Sequence, residues 1–214
     1  MITDPRVADL VMAWGRGWAV SRRVPAPEEV PGGFRIDVGR PGHRVRHVLH
    51  TWDHEALAGL ARRHTAPGTW IKISGTAADL REALPAPWTP ADTCYLMTAP
   101  FTAGAQAPPP PYEVHFTTDG AATTATVVDD TGATAASGHL GAAGGFGTLD
   151  RVETAPQHRR RGLGTTVVRA LGDHATRRGL RTGVLVATEQ GRALYRNLGW
   201  TVRSEVAAAF VPER

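Results

Sequence analysis

Four consecutive prolines at residues 108–111 divide the 214-residue chain almost in half. A proline ring fixes φ and removes the amide N–H, so the run can continue neither a helix nor a central strand. It favours an extended polyproline segment. Ala-Pro-Phe-Thr-Ala-Gly-Ala-Gln-Ala precedes it from position 99, and residues 99–111 read as a Pro-rich linker. The expected organisation is an N-terminal half at residues 1–98, the linker, and a C-terminal half at residues 112–214. A chain of this length, 42% apolar, can bury a core without covalent staples. Its one cysteine, Cys94, permits no intrachain disulfide. No apolar run approaches the ~20 residues of a membrane span. A cytoplasmic protein with no membrane partner is expected.

The formal charge of +4 and a pI near 10 invite a nucleic-acid reading. Position weakens it. Each side of residue 111 carries 12 basic and 10 acidic side chains, so neither half is a basic domain and no nucleic-acid partner is expected. Lys72 is the only lysine; every other cation is an arginine.

In the C-terminal half, residues 112–118 alternate as a strand does. Residues 121–129 and 134–140 flank the turn-forming Asp129-Asp130-Thr131-Gly132 and predict a hairpin. Residues 146–154 read as a further strand. A helix is expected over 162–178, because Leu163, Val167, Val168, Leu171 and Ala175 share one face. A buried strand at 183–187, a helix at 189–198 and a strand at 200–210 complete the order β-β-β-β-α-β-α-β. That order predicts an α/β (α+β) fold with a mixed, mostly antiparallel sheet flanked by helices.

The N-terminal half predicts a helix at 6–14, strands at 34–38 and 44–50, and a helix at 54–63. A strand at 70–74, a helix at 77–84 and a strand at 93–98 follow. The succession strand, helix, strand, helix, strand thus occurs twice. Ile71-Lys72-Ile73 before Ala78, Leu80 and Leu84 matches Val184-Leu185-Val186 before Gly191, Leu194 and Leu198, which suggests a degenerate internal duplication.

Chemistry concentrates at Pro156-Gln157-His158-Arg159-Arg160-Arg161-Gly162-Leu163-Gly164-Thr165, between a strand and a helix. Glycines let a backbone turn approach a ligand closely. The first amides of the helix lack internal acceptors and lie at the positive end of its dipole. With the arginines they suit a phosphate or pyrophosphate. The residues alone leave a second reading open, a solvated arginine run before a helix. The segment has neither the Gly-Lys-Ser/Thr of a Walker A loop nor the third glycine of the dinucleotide fingerprint.

Arg159-x-x-Gly162-x-Gly164, preceded by Pro156, and then Arg192-Ala193-Leu194-Tyr195-x-x-Leu198-Gly199-Trp200 resemble the GNAT superfamily of N-acetyltransferases. The resemblance covers residues 112–210. It implies acetyl-CoA as cosubstrate, no metal, and direct transfer to an amine in a ternary complex. It also implies that backbone amides of Arg160, Arg161, Gly162, Leu163, Gly164 and Thr165 hold the pyrophosphate, with Arg159 beside them. Val152 and Thr154 would pair by backbone with the pantetheine arm, and Tyr195 would protonate the departing thiolate. Thr188 stands where the family often has Asn and could bond the same arm; Gly191 stands where it often has Ala. The two helices expected between the first strands of this half are missing, since only Thr118-Asp119-Gly120 separates them. The N-terminal half is expected to supply that wall as a degenerate GNAT-like half.

For the general base, Asp150 comes first, because regular alternation puts it on the face of Val152. Glu153 follows if a bulge intervenes, and His139 on the neighbouring strand is third. His43, His47, His50 and His54 face different ways on the expected elements and have few carboxylates nearby, so no metal is expected. The function that follows is acetylation of a primary amine on a small or amino-acid-like acceptor, by a monomer or homodimer. The alternatives are a peptide or protein N-acetyltransferase and an acyl-CoA-binding regulatory module without transfer.

Overall fold

The polyproline run separates two strands, not two sheets. The computed structural model describes residues 5–104 and 107–213, so Ala105 and Gln106 of the expected linker lie outside the described residues. The N-terminal elements are α1 (Val7–Arg22), β1 (Glu28–Val30), β2 (Gly33–Arg40), β3 (His43–Leu49), α2 (His54–Arg63), β4 (Thr69–Ser74), α3 (Ala77–Ala83) and β5 (Thr89–Pro100). After the prolines come β6 (Glu113–Asp119), β7 (Ala122–Val128), β8 (Thr134–Ala143) and β9 (Phe146–Thr154). Then follow α4 (Leu163–Arg177), β10 (Thr182–Ala187), α5 (Glu189–Asn197) and β11 (Thr201–Phe210).

These strands form one sheet in the order β1-β2-β3-β4-β11-β5-β10-β9-β8-β7-β6. Among the described strands only β3–β4 and β9–β10 form parallel ladders, so the fold is the expected α+β sheet flanked by helices. The halves exchange strands. β5 lies between β11 and β10, and β11 lies between β4 and β5.

Helices α2 and α3 cover Ile71 and Ile73 of β4, while α4 and α5 cover Leu185 and Ala187 of β10. Both pairs lie on one face of the sheet. On the other face α1 is the one helix among the described residues. Its Leu10, Trp14 and Trp18 pack with Phe34 and Ile36 of β2, Val48 of β3 and Val184 of β10. One helix touches strands so far apart in the order because the sheet coils around it.

This face assignment corrects the duplication match by one residue. Ile71 and Ile73 face helices, as Leu185 and Ala187 do, whereas Val184 and Val186 face α1. Lys72 shares the α1 side with Val184 and Val186, and Leu185 lies on the opposite face.

The first helix also runs eight residues past its expected end at Trp14. Gly15 and Gly17, inside this extension, are close-approach positions. A Cβ on Gly15 would lie 2.4 Å from the Phe34 ring, and one on Gly17 would lie 2.1 Å from Thr148 Oγ1. Tertiary packing outweighs the ~1 kcal/mol that each glycine costs a helix.

Candidate functional site

The two parallel strands β9 and β10 part company early. Their ladder holds only at Phe146, Gly147 and Thr148, opposite Thr182, Gly183 and Val184, although β9 continues to Thr154 and β10 to Ala187. A cleft of about 770 Å³ opens beyond that point, between β9, the loop before α4, and the start of α5. Val152, Thr154, Arg159 and Arg160 line it. So do Gly162, Leu163, Gly164, Thr165 and Thr188.

Ala155 N–H donates to Ala135 of β8, so Val152 and Thr154, in alternate register, turn their backbone groups toward the gap. The loop has the shape that binds anions. Arg160 and Gly162 adopt positive φ, 63° and 78°, on either side of Arg161. Among the described residues, the six amides from Arg160 to Thr165 find no protein acceptor. Alternating left-handed residues leading into a helix N-terminus make a concave nest of N–H groups.

Arg161 is the exception among the expected cofactor residues. Its guanidinium donates to Tyr112 Oη at 2.7 Å, and Tyr112 in turn meets buried His158 at 2.9 Å. Arg161 thus ties the loop to the end of the polyproline run, and its side chain does not line the cleft. Arg159 stays in the cleft and donates to the Thr154 carbonyl at 3.3 Å. Leu163 buries its side chain in the core and offers only its amide. Thr188 caps α5 by accepting from Gly191 N–H at 3.2 Å.

An added Cβ at Gly191 would meet Thr188 Oγ1 and Tyr195 Cε2 at 3.5 Å, ordinary contact distances. We therefore expect Gly191→Ala to stabilise the protein by roughly 0.5–1 kcal/mol through lower unfolded-state entropy. Thermal unfolding that shows no gain would count against it.

Tyr195 lies beneath the cleft, 8% exposed and edge-on to Trp200 at 5.7 Å. Burial first, and the Asp150 charge second, raise its pKa above the ordinary tyrosine value of 10. The phenol is therefore protonated at neutral pH.

Asp150 is not on the face of Val152. Arg151 has φ 49°, and the β8–β9 register slips between Ser137 and His139, so a β-bulge interrupts the alternation. Val152 contacts the α4 side, near Gly138 and Val167, while Asp150 points to α1. There Arg22 grips both carboxylate oxygens and Ser21 Oγ donates at 3.1 Å. Arg22 and Ser21 were missed as partners because the helix was expected to end before them.

Opposite Asp150 on β8 sits His139. Its Nδ1 lies 3.1 Å from Thr124 Oγ1, and burial lowers its pKa below 6.5. Glu153 follows Val152 past the bulge and lies opposite Ser137. All three candidate bases thus fall on or beside the face that α1 covers.

The matching place in the N-terminal half is closed. β3 and β4 stay paired through Leu49 and Ile73, and Trp52 donates its indole N–H to Ser74 O at 3.1 Å. Among the described residues no group of three or more His, Cys, Asp or Glu is placed to hold a metal, and no helix is long and apolar enough to cross a membrane.

Residues 129–208 match the family described as FR47-like protein. Among solved structures, the chain is similar to a GCN5-related N-acetyltransferase from Kribbella flavida. The TM-score is 0.71 at 14% identity, covering 99% of this chain and 98% of that one. A GCN5-related N-acetyltransferase from Sphaerobacter thermophilus follows with a TM-score of 0.60 at 15% identity, over 84% and 77% of the two chains. A tandem GNAT protein from the clavulanic acid biosynthesis pathway reaches 0.56 at 15% identity, over 99% and 91%. No curated protein matches the chain.

Proposed function

From a chain that has the GNAT fold, with residues 129–208 matching the FR47-like family, we propose an acetyl-CoA-dependent N-acetyltransferase acting on a small amine. The single observation that carries the reading is the nest of six unpaired amides at the mouth of a splayed strand pair, with a buried protonated tyrosine below. The nest and Arg159 suit the cosubstrate's pyrophosphate. The backbone edge of Val152 and Thr154, which no strand pairs on the gap side, suits its amide-bearing arm. The residues fit the group.

In the reaction the acceptor nitrogen bonds to the acetyl carbonyl carbon and the carbon–sulfur bond breaks. The amine loses a proton and the thiolate gains one. Tyr195 supplies the proton to sulfur. On the other side of the sheet Asp150 has both oxygens engaged, so its role is to hold the C-terminal turn of α1 against β9. His139 is the better proton acceptor, reached directly or through one water.

A base must be deprotonated to act, so the rate should fall as pH drops through the His139 pKa, which lies below 6.5. His139→Gln should remove that limb and lower kcat about 10²-fold. An unchanged acidic limb in the variant would refute the role.

One observation, the Arg22–Asp150 pair, favours a second reading: an acyl-CoA-binding module without transfer. Thiol release from acetyl-CoA with a panel of amines, alongside direct acetyl-CoA binding, separates the two. Binding with turnover supports the enzyme; binding with no turnover on any amine supports the module.

A further inference from the structure

Two cations with no ion-pair partner among the described residues lie on the α1 face of the sheet. Lys72 on β4 and Arg46 on β3 are 8% and 7% exposed. Arg46 Nε donates to His43 Nε2 at 3.0 Å, and its guanidinium lies 4.2 Å from the centre of the Trp18 ring. Lys72 Nζ sits 5.9 Å from the centre of the Trp70 ring. Among the described residues it has no hydrogen bond and no ion pair, and Arg46 has no carboxylate partner. Arg22 shares the Trp18 ring at 5.2 Å, but its charge is matched by Asp150.

Among the described residues, Asp150 is the carboxylate whose charge reaches Arg46, and no carboxylate does so for Lys72. His43 adds no charge, because burial and then the surrounding cations push its pKa down to about 3. Holding two cations out of water without an anion is costly. The Lys72 ammonium shows it, pushed down to about 8 by burial and by Arg46. Indole faces soften the cost but do not cancel it.

Location gives the pair a use. Trp18 and Arg22, from the last turns of α1, join Arg46 to Asp150 at the edge of the β9–β10 gap. Val186, on the opposite edge of the gap, packs in the same cluster as Val48, Cys94 and Trp18. The nest and Tyr195 lie on the α4–α5 side, which leaves the α1 side, where these cations sit, for the acceptor.

We propose that Lys72 and Arg46 bind a carboxylate on the acceptor, which makes the substrate an amino acid or another amine carrying a free carboxylate. This inference rests on the acetyltransferase reading. A planar guanidinium and a compact ammonium together satisfy both oxygens of a carboxylate. Three tryptophans, Trp14, Trp18 and Trp70, stand around the pair.

The test uses N-acetyl-L-alanine, N-acetyl-L-phenylalanine and N-acetyl-L-glutamate, each against its carboxamide, titrated calorimetrically into the full chain with and without CoA. At least one acid should bind ten-fold or more tightly than its amide. Lys72→Met should abolish that preference, Lys72→Arg should keep most of it, and neither should change acetyl-CoA affinity. Because Lys72→Met removes an uncompensated charge, its thermal midpoint should not fall. Acids binding no better than amides, or a preference that survives Lys72→Met, would overturn the proposal. Failure of acetyl-CoA to bind would instead sink the acetyltransferase reading, and the acid-over-amide comparison without CoA would still decide the carboxylate site.

Discussion

Tyr195→Phe is expected to lower kcat for acetyl transfer about 10²–10⁴-fold, the range that a positioned general acid contributes, while leaving acetyl-CoA affinity unchanged. The substitution removes one oxygen and keeps the ring that packs edge-on against Trp200 and beside Gly191. Among the described residues the hydroxyl has no hydrogen-bond partner, so its loss strands no buried group. The fold should be preserved and the effect confined to turnover. The raised pKa sets the sign of the pH dependence: the phenol keeps its proton beyond pH 10, so it imposes no alkaline loss of activity below that value. Thiol release measured alongside acetyl-CoA binding reads both quantities. A variant that turns over at the wild-type rate would show that another group protonates the sulfur.

Gly141→Ala should destabilise the protein by about 3 kcal/mol or more, the upper range for forced overpacking. In a chain of this size that corresponds to a fall of roughly 6–12 °C in Tm. An added Cβ would lie 1.9 Å from the Gly17 carbonyl oxygen and 3.1 Å from the Ser21 nitrogen, both backbone atoms of α1. Backbone cannot step aside as a side-chain tip can, so the helix itself must lift off β8. Lifting it would also loosen Arg22 from Asp150, two strand positions away in the same contact. Calorimetry gives the loss of stability; a Tm within 2 °C of the parent would mean that the helix docks more loosely than these distances require.

The C-terminal half was legible because its signals are local. The spacing of Leu163, Val167, Val168 and Leu171 marks α4, and the Gly162-Leu163-Gly164 turn marks the loop before it. What the sequence concealed depends on partners far along the chain. Nothing near Gly17 announces Thr148, so the helix read as ending early, and Arg22 and Ser21 escaped notice as ligands of Asp150. The bulge at Arg151 carries no glycine or proline to betray it, and one left-handed residue sends Asp150 to the opposite face from Val152. Arg161 looked equivalent to its two neighbours until Tyr112, 49 positions earlier, claimed its guanidinium. Lys72 was visible only as the one lysine in an arginine-rich chain; its burial follows from β3 and β4 closing over it against α1.

The crossing of β5 and β11 has a consequence for how the chain is made. While residues 1–100 leave the ribosome, β4 and β5 have no strand to join them, for the one that fits between them is Thr201–Phe210. The first half must wait, its apolar edges uncovered, for a segment about a hundred residues downstream. Chains that depend on such distant pairings are slow to close and prone to aggregate meanwhile. A stop codon before Thr201 would therefore spare every residue of the anion nest and still leave no seam to hold the two sides of the sheet together.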